Sequence, residues 1–197
     1  PPVPPPLTTW GQLTRLHRWY AELDAPDPRP HLVGFAGDTA LVLVGLRPFG
    51  PGEARGPLVE ALALALPLGA DRVSVALPGR AWSLDDPVPP VVPGADLRQR
   101  VLTQITVDAH GAGPPRTTTS LHPFAESMDD GALVWDEVVH PGPVEGWIPD
   151  ALQTLLAHRG DAVLHATSEQ LVAQAERLHD LGHEVLVPDD VVGTSAP

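Results

Sequence analysis

Two histidines and an aspartate share one side of a predicted β-hairpin, and they are the residues best placed to do chemistry. Arg98–His110 alternates apolar and polar residues, and so does Arg116–His122. If the chain turns at residues 111–115, His110 lies opposite Arg116, Asp108 opposite Thr118, Thr106 opposite Ser120 and Gln104 opposite His122. Strands alternate with period two, so all eight side chains point the same way. Asp108 could then orient His110 as a general base, with Arg116 and His122 as ligand-binding groups. The plainer expectation is the solvent side of a half-exposed antiparallel pair. In this register His110 and His122 stand three residue pairs apart, at roughly 3.3 Å per residue. That is too far to share one ion, so no metal and no cofactor are expected.

Other candidates are thinner. Arg80 follows Pro78-Gly79 at the end of a predicted core strand, where open α/β sheets bind ligands. It could clamp a small anion, or pair with Asp85 or Asp86. Asp136 and Glu137 point to opposite faces of a strand and do not make an acid–base pair; with His140 they read as an exposed strand end. His165 is expected in an inner strand. His179 and His183 flank a helix end, where imidazolium suits the helix dipole. Trp135 and Trp147 are expected as core or interface anchors.

Much chemistry is excluded outright. The chain has no Cys, which removes disulfides, thiolate zinc sites, iron–sulfur clusters and a cysteine nucleophile. It has no Lys, which removes a Schiff-base or P-loop lysine. GxSxG, HExxH, GxGxxG, Walker A and EF-hand patterns are missing. The lack of Lys and Asn beside 25 Pro and 18 Gly fits a high-GC bacterial genome.

The elements that must position these residues begin with a helix over Thr9–Leu23. Thr9-Trp10-Gly11-Gln12 suggests a capping box, and Trp10, Leu13, Leu16, Tyr20 and Leu23 make the buried side. His31–Ala36 and Ala40–Leu46 are strands joined by a turn at Gly37-Asp38. The unbroken run Leu41-Val42-Leu43-Val44 implies cover on both faces. Pro57 opens a helix with Leu58, Val59, Leu62, Ala63 and Leu66 on one face, and Val73, Val75 and Leu77 form the next strand. The 98–122 hairpin and a strand over Ala132–Val139 make an antiparallel meander. A helix from Pro149, a strand at Ala162–Ala166, a helix opened by the capping box Thr167-Ser168-Glu169-Gln170, and a strand at Glu184–Val187 close the chain. The last strand–helix–strand suggests a right-handed parallel crossover.

The order helix, hairpin, helix, strand over residues 9–77 resembles the opening of the cytidine-deaminase-like fold. That family carries a His/Cys-x-Glu zinc motif on the helix after the hairpin. The equivalent stretch here, Glu53–Leu66 with Glu60-Ala61-Leu62, has neither His nor Cys. The resemblance covers about a third of the chain and implies topology without activity.

The expectation is one α/β domain over 1–197 with α+β character: a single mixed sheet with an N-terminal helix, a β-hairpin–helix–strand core, the meander and a C-terminal α-β-α-β segment. Residues 1–8 are read as an extended Pro-rich lead, 79–96 as a long Pro-rich loop and 188–197 as a tail. The chain is 43% hydrophobic, enough for a core, and no apolar run suits a membrane span. A net charge of −13, carried by residues 81–197, argues against nucleic acid as a partner. The functional expectation is a soluble, cytoplasmic, non-enzymatic binding or interaction module, acting on a protein or small molecule and forming a homodimer. The alternative is a hydrolase or transferase acting on a small anionic substrate at the polar face of the 98–122 hairpin.

Overall fold

A computed structural model describes residues 9–50, 52–82, 87, 96–142, 146–157, 159 and 166–187. It contains seven strands in one sheet: β1 (His31–Ala36), β2 (Thr39–Gly45), β3 (Arg72–Ala81), β4 (Gln99–Asp108), β5 (Arg116–Glu126), β6 (Leu133–Trp135) and β7 (Glu184–Leu186). Their order is β6-β5-β4-β3-β1-β2-β7. Helices α1 (Leu13–Leu23), α2 (Arg55–Ala65), α3 (Trp147–Ala157) and α4 (Ser168–Asp180) complete the α/β fold. Every pairing among the described strands is antiparallel, β2 with β7 included. The strand expected at Ala162–Ala166, which would have made the crossover parallel, lies outside the described residues except for Ala166, which is not in a strand.

Period two explains why the sheet is covered twice. On one face Leu32, Val42, Val44, Val73, Val75, Ile105 and Val107 build the main core beneath α2, α3 and α4. On the other face Val33, Phe35 and Leu43 pack with Leu13, Leu16 and Tyr20 of α1. Leu102, Phe124 and Ala76 meet Ala21 of the same helix further along. The apolar run in β2 is therefore buried on both sides, as its composition implies.

Several boundaries differ from the sequence reading; β5, for one, runs past His122 to Glu126. The first turn of the N-terminal helix is a 3-10 turn at Trp10–Gln12, and Thr9 makes no side-chain cap bond. β3 runs on to Ala81 instead of yielding to a loop at Gly79, because it pairs with β4 as far as Ala81–Gln99. The third meander strand is only Leu133–Trp135; Val139 returns as an isolated bridge to Leu121. Residues 83–86 and 88–95 of the Pro-rich loop, the lead at 1–8 and the tail from 188 lie outside the described residues.

A buried polar chain beneath the first helix

The register of the β4–β5 hairpin is offset by two residues from the expected one. Asp108 stands opposite Arg116, Thr106 opposite Thr118, Gln104 opposite Ser120 and Leu102 opposite His122. The reason is the turn: Ala109–Pro115 lies outside both strands, so His110 is a loop residue. An offset of two preserves which face each side chain takes. The expected polar face is therefore present, but its inner half is not solvent surface. Gln104, Thr106 and His122 are buried under α1.

They continue into a chain of side-chain hydrogen bonds across four strands and α1. His122 Nε2 lies 3.0 Å from Gln104 Oε1. Gln104 Nε2 donates to Thr106 Oγ1 at 3.2 Å. Thr106 Oγ1 is 2.9 Å from Ser74 Oγ, which is 2.8 Å from His17 Nε2. His17 Nδ1 is 2.8 Å from His31 Nε2, and His31 Nδ1 is 3.0 Å from the Arg29 carbonyl. A carbonyl can only accept, so His31 carries its proton on Nδ1 and accepts at Nε2. His17 must then donate from Nδ1 and accept from Ser74 at Nε2. Ser74 in turn accepts from Thr106, and His122 donates from Nε2 to Gln104. One proton arrangement satisfies the whole chain with all three imidazoles neutral. Burial pulls His17 well below the usual imidazole range, with His31 and His122 adding to the effect. Burial also lowers His31 and His122 to about 4 each; Arg18 and His140 contribute at His122.

The remaining candidates sit at two separate places, Asp108, His110 and Arg116 near the hairpin turn and Arg80 toward the other end of β3. His110 is half exposed, and its Nδ1 is 2.6 Å from Asp71 Oδ2; the other oxygen of Asp71 accepts from the Gly37 amide. Asp71 therefore orients His110 through Nδ1. Asp108 instead accepts from the His110 backbone amide and from Arg72 Nε. Arg72 also bonds Asp38 and the Gly37 carbonyl and stacks on Trp10. Arg116 is exposed on β5 opposite Asp108. Arg80 is at the far end of the sheet, eight residues along β3 from Arg72 or about 26 Å. It bonds the Asp96 and Arg98 carbonyls and the Asp96 carboxylate; Asp85 and Asp86 lie outside the described residues. Arg80 and His110 thus do not converge on one site.

His183 is buried rather than left at a solvated helix end. It accepts from the Arg47 amide and donates from Nε2 to Glu60, which Arg47 grips with two nitrogens. These Arg47 bonds, with help from His183, hold the Glu60 carboxyl down at about 2. His165 lies outside the described residues. Among the described residues no three His, Cys, Asp or Glu side chains are grouped to hold a metal ion, and no helix is long and apolar enough to cross a membrane.

On the opposite face of the sheet, α2 and α3 border a groove of about 570 Å³. Leu58, Val59, Leu62, Trp147, Leu152 and Leu155 line it, with Arg55 and Asp150 among its polar residues. Trp147, Val59 and Leu155 stay partly open to solvent. Arg55 has no ion-pair partner among the described residues. No family model matches the chain, and neither does any curated protein or solved structure.

Proposed function

We propose that this protein is a non-enzymatic binding module that takes a small, mostly apolar ligand in the α2–α3 groove. The supporting observation is the groove itself. Its volume falls in the range of about 300–1,000 Å³ that suits small ligands, and its walls are aliphatic with one indole. A charged group at the edge of such a groove fixes orientation, and Arg55, which has no ion-pair partner among the described residues, suits a carboxylate head group. The test is titration of the full chain with octanoate and decanoate, followed by calorimetry and by tryptophan emission. Saturable one-site binding is expected, abolished by Val59→Arg or Leu155→Arg and weakened about tenfold by Arg55→Ala. Heats that do not saturate, or that ignore these substitutions, refute the ligand. A doubled mass in light scattering that the same substitutions halve would assign the groove to a second copy of the chain.

A second reading rests on the Asp71–His110 pair. A carboxylate that holds Nδ1–H leaves Nε2 as a base, and Arg116 extends from a neighbouring strand to hold an anion. This supports hydrolase or transferase chemistry on a small anionic substrate, with Asp71 in the orienting role rather than Asp108. Any such turnover should disappear in His110→Asn and fall in Asp71→Asn. Turnover that survives His110→Asn rules out this base.

A further inference from the structure

We propose that Arg18, His122 and His140 form a site for a small oxyanion, taken up together with one proton on His122. The observation is a gap in the bonding at the end of the buried chain. His122 is fully buried, and its Nδ1 has no hydrogen-bond partner among the described residues. Arg18 Nε is likewise buried and without a partner among the described residues. The Arg18 guanidinium lies over the Trp135 ring at 5.1 Å and donates from Nη2 to the Asp136 carbonyl, which holds it above this part of β5. His140 bonds Ser120, the β5 residue two before His122, and is itself exposed.

Charged and titratable groups of both kinds lie around His122. Arg18 and His17 face His122 from α1, and His140 from beyond β6. Gln104, its neighbour on β4, is uncharged. Of the nearby acids, Glu22 is held by the Trp135 indole and Asp136 contributes its backbone carbonyl to Arg18. None of Arg18, His122 and His140 has an ion pair among the described residues, although the chain has 25 acidic residues. An anion would supply the counter-charge that the described residues do not.

The proton arrangement explains why His122 is the group that answers. Both nitrogens of His17 and of His31 are already bonded, and a proton added to either must reverse or break the chain. At His122 the Nε2–H remains on Gln104, and the free Nδ1 lone pair accepts a proton from solution with nothing else moving. The imidazolium Nδ1–H and Arg18 Nε–H then both donate to the anion. One positive and one negative charge enter together, so the charge of the site is unchanged. Affinity therefore rises as the pH falls.

The experiment uses the full chain labelled with ¹⁵N at histidine and the two-bond imidazole correlations that report which nitrogen is protonated. Acetate, inorganic phosphate and chloride are compared at matched ionic strength across a pH titration. Acetate or phosphate should raise the protonation midpoint of His122 by at least about one pH unit, a tenfold linkage, while His17 and His31 stay neutral. Arg18→Gln should remove the shift and His140→Ala should reduce it. A response to acetate alone assigns a carboxylate, and a response to phosphate alone assigns a phosphate. An identical midpoint in all three salts overturns the proposal, as does an equal shift with chloride.

Discussion

A serine in the middle of a valine-rich strand is the residue on which the buried chain turns. Ser74 lies between Val73 and Val75 and is fully buried, with His17 above it and Thr106 beside it. Ser74→Ala leaves the His17 Nε2 lone pair and the Thr106 hydroxyl proton without partners in a dry interface. A loss of about 2 kcal/mol is expected, read as a lower urea midpoint with an unchanged slope. His17 was present in the sequence as a signal that the apolar spacing hides. It follows Leu13 by four and precedes Tyr20 by three, so it falls on the buried stripe of α1. A histidine on that stripe and a serine in a core strand are each unremarkable; only the fold places them within 2.8 Å. Asp71 was missed for a similar reason. It stands 39 residues from His110, and adjacency in sequence favoured Asp108 instead.

At the scale of elements, alternation is legible and turn length is not. The polar face of the β4–β5 hairpin follows from period two alone, whereas its register depends on how many residues the turn takes. The two capping boxes show the same division. Thr167 and Gln170 bond each other's backbone as their spacing implies, and α4 starts there. Thr9 has the same spacing to Gln12, yet a 3-10 turn intervenes and no cap bond forms. Thr167→Ala should therefore cost about 1 kcal/mol, visible in chemical denaturation, while Thr9→Ala should cost much less. Helix α1 is also tied to the sheet edge by Tyr20, whose hydroxyl donates to Glu184 of β7. A Cβ at Gly45 would run into that hydroxyl. Gly45→Ala should displace the ring and lower stability by about 1–3 kcal/mol, with the loss of the Tyr20–Glu184 bond visible in the spectrum of Tyr20, the one tyrosine of the chain.

For the whole molecule, three buried neutral histidines set the response to acid. Each has its folded pKa below its unfolded value, so the unfolded chain binds more protons as the pH falls. Their stabilising effect is complete above about 6.5 and is lost progressively as the pH drops toward about 4. With all three titrating, unfolding free energy should fall by up to roughly 4 kcal/mol per pH unit within that window. Below it Glu60 adds to the loss, since its depressed carboxyl gives stability that is present above the ordinary glutamate range and fades toward pH 2. Urea midpoints measured from pH 8 to pH 4 check this directly, and a flat profile between 6.5 and 4.5 would contradict the buried chain. The α/β class and the double cover of β2 were readable from composition and periodicity. The polar seam was not, because it joins residues from α1, β1, β3, β4 and β5.

The strand order has one more outcome, for how the chain is made. β1 and β2 precede the other strands of the sheet in the chain, and β3 soon closes the inner side of β1. Among the described strands, the outer side of β2 is closed only by Glu184–Leu186, at the opposite end of the sequence. Until translation reaches those three residues, the outer edge of β2 at Leu43, Val44 and Gly45, in a mostly apolar strand, stands open to any other strand nearby. A chain stopped before Glu184 should therefore clump rather than unfold quietly. β7 serves as a late seal against self-association, although it is among the shortest strands in the sheet.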